Sequence, residues 1–157
     1  MTRRVEERVG YVLKRVQQAL RAAMDEALRR HGVTTAQYAA LSVLEEVSGL
    51  SGAELARRCF VTPQTMNEIV AHLEAAGLVE RRRGDDARVL RAALTANGQE
   101  LVAVCHRAVG VIEERMVSGL SPREQRQLLG DLHRCIDALE SSSSPAADPS
   151  PLESSLK

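Results

Sequence analysis

The chain is poor in aromatic residues. Its 157 residues include two tyrosines, one phenylalanine and no tryptophan. Proteins that bind single-stranded nucleic acids stack the bases on aromatic side chains, so this scarcity argues against that class. Hydrophobic residues still make up 44% of the chain, which is enough for a packed core. Because sandwiches and barrels rely on aromatic and β-branched residues, the composition favours a mainly α-helical fold.

The chain also lacks long apolar runs and a disulfide framework. No apolar run approaches the length of about 20 residues that a transmembrane helix needs, and no signal-peptide pattern is present. We therefore expect a cytoplasmic protein. The three cysteines (Cys59, Cys105 and Cys135) are odd in number and widely spaced, a pattern that does not indicate disulfides. We expect Cys105 and Cys135, which lie in apolar helical stripes, to be core residues.

No residue pattern typical of an enzyme or a metal site is present in the sequence. We find no Ser-His-acid or Cys-His-acid arrangement, no clustered carboxylate pair and no glycine-rich phosphate loop. Cys105 and His106 are adjacent on a predicted helix, so their side chains point apart. His133 and Cys135 are separated by one residue and lie on different helix faces, which does not suit one metal ion. We therefore expect no catalytic activity, no cofactor and no metal.

The charge is balanced overall but is unevenly distributed. The 21 basic and 21 acidic residues give a net charge of zero. Basic groups exceed acidic ones by four in residues 1–30 and by two in residues 80–91, whereas acidic groups are in excess by three in residues 96–157. All but two of the basic residues are arginine, whose planar guanidinium suits phosphates and guanine edges. A GC-rich coding sequence explains the scattered arginines as well as nucleic-acid binding does, but it explains the cluster at 81–83 less well.

Hydrophobic spacing predicts long helices at both ends of the chain. Apolar residues recur every three or four positions over residues 3–31 and again over residues 98–118. Ser121 and Pro122 begin a last helix with a similar stripe. One helix–helix contact would leave part of these stripes exposed, so we expect a homodimer.

The sequence divides into a helical frame, a central lobe and a tail. We assign residues 1–32 and 98–140 to a helical dimerisation frame, and residues 34–97 to a compact lobe between them. Residues 141–157 are rich in serine and proline and contain too few apolar residues to pack. We therefore expect this tail to be disordered.

Two short helices are predicted in the central lobe. Ser51 and Glu54 form an S-x-x-E capping box that begins the first, and Thr62 with Pro63 begins the second. In a helix-turn-helix the second helix enters the major groove of DNA, and here that helix spans residues 63–76. The arrangement predicts a DNA-binding lobe.

The outward polar face of the second helix supplies candidate base contacts. Gln64 and Asn67 carry amides that suit adenine, and Thr65 suits phosphate or a thymine methyl group. The carboxylate of Glu68 can only accept a hydrogen bond, for instance from cytosine N4. Near a phosphate, Glu68 would be repelled. An ordinary amphipathic helix with a solvated polar face explains the same pattern equally well. The candidate DNA-contacting residues of this segment are Thr62, Gln64, Thr65, Asn67, Glu68 and His72.

An arginine-rich hairpin follows and favours the DNA-binding interpretation. Residues 78–83 and 89–95 are predicted to form two strands joined by a turn of glycine and aspartates. An arginine cluster directly after such a helix is hard to explain as core or as neutral surface. As a wing, it would lie against backbone phosphates or in the minor groove. The candidate wing contacts are Arg81, Arg82, Arg83 and Arg88.

The ordered motifs of this region resemble the multiple antibiotic resistance regulator (MarR) family of winged-helix transcription factors. The matching segments are Glu54-Leu55-Ala56, His72–Arg82, Asp86-Ala87-Arg88 and Leu94-Thr95-Ala96-Asn97-Gly98, and the resemblance covers about residues 5–140. It implies a winged helix-turn-helix lobe on a helical dimerisation frame made by the first and last two helices. It also implies a homodimer that binds a palindromic operator in double-stranded DNA.

The resemblance further implies roles for residues of the wing. Asp86 would pair with an arginine and hold the hairpin, and Arg88 would reach the DNA. The chain departs from the family pattern at Glu68 and Ala87, where many members have arginine. Both differences remove positive charge, so we expect operator affinity to depend more on Arg81–Arg83.

The resemblance also raises the question of what the protein senses. Family members often bind a small aromatic or phenolic ligand between the dimer frame and the DNA lobe, and Tyr11, His31 and Tyr38 are the candidate ligand-binding residues here. Other members sense oxidants through cysteine. Cys59 lies beside two arginines, which would lower the pKa of its thiol. A cysteine in this turn is nevertheless more typical of a small buried hydrophobic residue than of a redox sensor.

The sequence thus predicts a homodimeric, sequence-specific transcriptional regulator, most simply a repressor, that a small molecule releases from its operator. The alternative is a winged helix used for protein interaction or for non-specific architectural DNA binding. In that alternative, Glu68 and the zero net charge reflect lost base recognition. Binding to DNA with or without sequence preference distinguishes the two.

Overall fold

The computed structural model describes residues 4–84 and 88–141, which form six α-helices, one 3-10 turn (Val5–Glu7) and a small antiparallel sheet. The helices are α1 (Val9–Arg29), α2 (Thr35–Glu46), α3 (Gly52–Arg58), α4 (Pro63–Ala75), α5 (Ala96–Met116) and α6 (Pro122–Ser141). The strands are β1 (Leu50–Ser51), β2 (Val79–Arg83) and β3 (Leu90–Leu94), in the order β1-β3-β2. The predicted mainly α-helical fold with a β-hairpin wing is confirmed.

The chain divides into two compact units. Residues 1–116 hold α1 to α5 and the sheet, and residues 117–157 hold α6. The assignment of a dimerisation frame around a 34–97 lobe stays a prediction, and residues 142–157 of the predicted tail lie outside the described residues. None of the described helices is long and apolar enough to cross a membrane.

Local sequence determines where α3 and α4 begin. The hydroxyl oxygen of Ser51 accepts from the Glu54 backbone N–H at 3.3 Å, and Glu54 Oε2 accepts from the Ser51 backbone N–H at 2.8 Å, which closes the predicted capping box. The Thr62 hydroxyl oxygen accepts from the Thr65 backbone N–H at 3.1 Å. Pro63 occupies the first turn of α4, where its missing N–H has no helical partner to lose. Both predicted helix starts are confirmed.

Two glycines allow α4, β2 and α5 to meet closely. Gly77 follows α4 with φ of 71°, a left-handed conformation that glycine adopts without steric cost. Gly98 lies in the first turn of α5, where an added Cβ would be 2.0 Å from the Leu78 carbonyl oxygen. The Thr95 hydroxyl donates to the Gly77 carbonyl at 2.7 Å and accepts from the Gly98 N–H at 3.1 Å. The hairpin is thereby held between α4 and α5.

β2 and β3 form the wing, and their register fixes which arginines face the core. Arg81 pairs with Ala92 and Arg82 pairs with Arg91, and directly opposite residues share a face of the sheet. Ala92 is 3% exposed, whereas Arg91 is exposed. The face that carries Arg81 is therefore turned toward the core, and the face that carries Arg82 is turned toward solvent.

The core joins α1, α2, α3, α4, α5 and the sheet. Its most deeply buried side chains are Leu28, Leu41, Leu44, Leu55, Met66, Leu73, Val79, Val102 and Cys105. The inward face of α4 is apolar and is formed by Met66, Ile69, Val70 and Leu73, which are each at most 9% exposed. The predicted core position of Cys105 is confirmed.

The helices at the two ends differ from the expectation. The helix predicted over residues 3–31 begins only at Val9, because Arg8 is extended with φ of −81° and ψ of 128°. Its apolar stripe is largely exposed, with Val9 64% and Val12 46% accessible. Cys135 is exposed, so its predicted core position is wrong, because α6 contains no buried residue among those described.

Candidate DNA-binding interface

The turn between α3 and α4 brings the first turn of α4 to the surface. The Val61 N–H donates to the Ala56 carbonyl at 3.1 Å and closes α3, and Thr62 then caps α4. The residues at this end are short or polar and exposed: Thr62, Pro63, Gln64 and Thr65. In a helix-turn-helix this end of the second helix meets the base edges.

The outward face of α4 offers mainly hydrogen-bond acceptors. Gln64, Glu68 and His72 are spaced four residues apart, so they share one face, and all three are exposed. His72 Nδ1 lies 2.8 Å from the Glu68 carbonyl oxygen. Because a carbonyl only accepts, Nδ1 carries the proton, and Nε2 of the neutral ring is an acceptor. This face therefore suits the exocyclic amines of adenine and cytosine.

Asn67 is exposed but lies on the side of α4 that faces the wing. Its Oδ1 is 3.1 Å from the position that a Cβ on Gly52 would occupy. Together with Arg81 and Arg88, Asn67 lines a groove of about 440 Å³ between the two short helices and the hairpin. The predicted contact of Asn67 with adenine stays a prediction, and it requires a base edge to reach this groove.

Arg81 ties the wing to α4. Its Nε and Nη2 lie 2.8 and 2.5 Å from Glu74 Oε2, and both side chains are about one-third exposed. The hydrogen bonds from Arg81 lower the pKa of the Glu74 carboxyl. The pair spans seven residues of sequence and two elements, and no sequence pattern marks Glu74 as the acceptor. Arg81 thus has a neutralised charge and a positioning role.

The remaining wing arginines lie nearer solvent. The Arg82 side chain is 77% exposed and its Nη2 is 2.8 Å from Glu80 Oε1. Arg83 is exposed at the end of β2, and Arg88 is exposed before β3. Asp86, to which the family resemblance gives a role in holding the hairpin, lies outside the described residues.

Arg91 is a structural residue of the interface that sequence reasoning missed. Its Nη1 donates to the Gly49 carbonyl at 2.9 Å and lies 3.6 Å from Glu54 Oε2. The pKa of the Glu54 carboxyl is lowered, first by the Ser51 hydroxyl and then by the Ser51 backbone N–H, with a smaller contribution from Arg91. Arg91 therefore connects β3 to the start of α3. Its position opposite Ser51 in the sheet becomes evident only from the register.

The surroundings of Cys59 disfavour its thiolate form. It is half-buried at the end of α3, and burial raises the pKa of its thiol. The expectation that the neighbouring arginines would lower this pKa is wrong, because Arg57 and Arg58 are exposed and desolvation is the dominant effect. A raised pKa disfavours the reactive thiolate.

Of the three candidate ligand-binding residues, Tyr38 has a structural partner. Its hydroxyl lies 2.8 Å from His106 Nδ1, and His106 Nε2 lies 2.6 Å from Glu45 Oε2. Because an ionised carboxylate only accepts, Nε2 carries a proton, and Nδ1 shares a hydrogen bond with the Tyr38 hydroxyl whose direction depends on the protonation of the ring. Burial is the main cause that raises the pKa of Tyr38. This chain of hydrogen bonds joins α2 to α5.

His31 and Tyr11 lie elsewhere. His31 lines a groove of about 310 Å³ between α1 and α5, together with Arg30 and Arg115. A further groove of about 270 Å³ shares Arg115 with it and is mostly apolar. Tyr11 is 39% exposed near the start of α1. Within residues 4–84 and 88–141, no cluster of side chains suits a metal ion.

Comparison with known proteins identifies the relatives of this architecture. A model of the MarR family matches residues 31–88. The HTH-type transcriptional repressor Rv2887 of Mycobacterium tuberculosis is 38% identical over 120 residues, which cover 76% of this chain and 86% of the relative. The HTH-type transcriptional regulator TtmR of Methylorubrum extorquens is 33% identical over 132 residues, covering 78% of this chain and 65% of the relative.

Solved structures give the same result. The structure of Rv2887 in complex with DNA superimposes with a TM-score of 0.71 at 36% identity, covering 82% of this chain and 97% of that one. Its complex with salicylic acid superimposes with a TM-score of 0.68 at 36% identity, covering 82% and 96%. The predicted family and winged-helix fold are confirmed. The chain belongs to the MarR family of DNA-binding transcriptional regulators.

Proposed function

We propose that this protein is a homodimeric repressor that recognises a palindromic operator and is released from it by a small aromatic acid. The proposal is supported by the relative Rv2887, a transcriptional repressor whose structures have been solved in complex with DNA and with salicylic acid. A repressor must reach DNA, so we also propose a cytoplasmic location.

The observation that carries the proposal is the polar face of α4, held at a fixed position relative to the wing. Gln64, Glu68 and His72 share this exposed face, and the Arg81–Glu74 pair at 2.5 Å joins the far end of the helix to β2. A helix that reads bases must be positioned rigidly to distinguish their edges. We therefore assign base recognition to this face and phosphate binding to the wing.

The contacts divide according to their chemistry. Thr62 and Thr65 lie at the start of α4, where hydroxyls and backbone N–H groups suit phosphate oxygens. Glu68 repels phosphate, so its place is opposite a cytosine or adenine amine. In the wing, Arg82, Arg83 and Arg88 provide the charge that neutralises phosphates, with Asp86 proposed to order the hairpin.

A second copy of the chain is the proposed partner of the exposed apolar stripes. Val9, Val12 and Val16 on α1 are each at least 45% exposed, and on α6 Ile136 and Leu139 are 49% and 72% exposed. Burying such side chains on association is favourable. We propose that residues 1–32 and 98–140 form the dimer frame, which would present two copies of α4 to successive major grooves.

An effector site is proposed in the groove between α1 and α5. Its two parts of about 310 and 270 Å³ combine apolar walls with the guanidinium groups of Arg30 and Arg115, a combination that suits an aromatic ring bearing a carboxylate. Glu26 also lines the larger part, but its carboxylate is paired with Arg29 at 2.6 Å. A ligand there would bind best to a dimer whose α4 spacing does not match DNA, and so would shift the population away from the bound form. Of the three candidate ligand-binding residues, only His31 lines this groove.

The proposal is tested by selecting duplexes from a randomised DNA library with the purified protein. We expect a palindromic consensus, binding at 2:1 stoichiometry of protomer to duplex, and weaker binding in salicylate. A library without enrichment, or a dimer that binds DNA of any sequence equally, would instead indicate an architectural protein. A complete lack of DNA binding at low salt would indicate a protein-interaction module.

A further inference from the structure

Phe60, in the turn between α3 and α4, combines two unfavourable features. Its side chain is 95% exposed, and its backbone has φ of 56°. This left-handed region brings Cβ close to the backbone, which disfavours bulky residues, whereas glycine and asparagine adopt it more readily. A ring that is almost fully exposed gains little burial to offset that cost. The fold alone therefore gives no reason for phenylalanine at this position.

The surroundings of Phe60 favour a DNA partner. Two residues further along, Thr62 caps α4, so the ring adjoins the end of the helix proposed to read base edges. On the other side, Arg57 and Arg58 are exposed, and neither forms an ion pair within the part of the chain that the structure describes. Two cations beside an apolar ring suit a polyanion with apolar base edges better than the apolar surface of another protein.

We propose that the Phe60 ring contacts a thymine methyl group at the edge of the major groove that α4 enters, which makes Phe60 a specificity-determining residue. The inference rests on the DNA-binding function proposed above. In a helix-turn-helix the first helix crosses the DNA backbone and the second lies in the groove. The turn between them therefore lies at the boundary between the phosphate backbone and the base edges. Apolar contact with the thymine methyl group is one of the ways in which proteins distinguish thymine in the major groove.

The strained backbone makes the inference testable, because folding and binding should respond differently to one substitution. In Phe60→Gly the turn is relaxed and almost no buried surface is removed, so the midpoint of thermal unfolding is expected to stay equal or rise. Operator affinity is expected to fall by about fourfold for each thymine methyl group that the ring no longer covers. Phe60→Asn, which also tolerates the left-handed conformation but lacks the ring, should behave in the same way, and Phe60→Tyr should retain affinity.

The partner is identified by replacing operator thymines one at a time with deoxyuridine, which removes only the methyl group. At the contacted position, wild-type affinity is expected to fall by about fourfold, while Phe60→Gly shows no further decrease. Equal affinities of wild type and both ring-deleted variants would overturn the inference. So would the absence of any deoxyuridine position coupled to Phe60, or a marked loss of stability in Phe60→Gly, which would make the ring structural. A wild-type protein without sequence-specific binding would instead overturn the proposed function itself.

Discussion

Arg81 and Arg82 are adjacent on β2 but are expected to behave differently when each is replaced by glutamine. Arg81 is paired with Glu74 at 2.5 Å and is 30% exposed, whereas Arg82 is 77% exposed and, among the described residues, is paired with the partly exposed Glu80. Arg81 is neutralised by Glu74 in the free protein, and we expect this pair to persist in the complex. Arg82 can give up its solvent-exposed ion pair with Glu80, which contributes little energy, and neutralise a phosphate instead. The two substitutions thus separate wing positioning from phosphate binding.

The magnitudes follow from these environments. Each phosphate contact contributes about 0.9 to the slope of log K against log salt concentration, so removing Arg82 from both protomers should reduce the slope by about 1.8. Arg81→Gln should leave the slope unchanged. It should lower the free energy of unfolding by about 1 kcal/mol, a value already reduced for solvent screening of the partly exposed pair. Arg82→Gln should change that free energy by less than about 0.5 kcal/mol.

The stability cost of Arg81→Gln should also depend on pH. The pKa of the Glu74 carboxyl is lowered in the folded protein from its ordinary value of 4.5, so the pair contributes fully above that pH. Its contribution is lost as pH falls through the lowered folded-state pKa. The difference in unfolding free energy between wild type and Arg81→Gln should therefore be constant near neutral pH and shrink as the pH falls below 4.5 toward the lowered folded-state pKa.

The assays are fluorescence anisotropy titrations of a labelled operator at several salt concentrations, and urea unfolding followed by circular dichroism. Both variants share the loss of one arginine, so each is the control for the other. If Arg81→Gln flattened the salt dependence as much as Arg82→Gln, then Arg81 would bind phosphate in the complex, and the positioning role assigned to its pair with Glu74 would be refuted.

Three further substitutions test the packing of the fold. Gly98→Ala should lower the free energy of unfolding by more than about 2 kcal/mol, because its Cβ would lie 2.0 Å from the Leu78 carbonyl oxygen. Gly110→Ala, whose Cβ would meet no neighbour within 4 Å apart from the backbone around it in α5, should instead stabilise α5 by about 0.5–1 kcal/mol. Tyr38→Phe should cost about 1 kcal/mol by removing the hydrogen bond to His106 at 2.8 Å; an unchanged urea midpoint would show that this bond contributes nothing.

The parts of the fold that depend on local chemistry were predictable from the sequence. The Ser51–Glu54 capping box and the Thr62-Pro63 start lie within four consecutive residues, so their geometry is contained in the sequence itself. The buried face of α4 and the two wing strands follow from hydrophobic periodicity and turn residues. The arginines of the wing and the polar face of α4 were also found in this way, because exposed polar residues interrupt an apolar pattern.

The features that depend on tertiary register were not predictable. The Arg81–Glu74 pair and the contacts of Arg91 require knowing how β2 and β3 lie against the helices, and no spacing in the sequence encodes this. The expected effect of the arginines on the Cys59 pKa was wrong for a similar reason, since the sequence showed which charges lie near Cys59 but not that desolvation of the thiol outweighs them. The left-handed backbone conformation at Phe60 is imposed by the turn between α3 and α4, and it could not be predicted because phenylalanine does not favour that conformation.

The ratio of two dissociation constants measures how strongly the lobe distinguishes one DNA sequence from others through α4. The selected operator and a scrambled duplex of the same composition are titrated with the dimer at the same, near-physiological salt concentration. We expect a ratio of at least about 10³ in favour of the operator, and a large loss of that ratio in Gln64→Ala. Equal dissociation constants for the two duplexes would show that α4 does not recognise sequence.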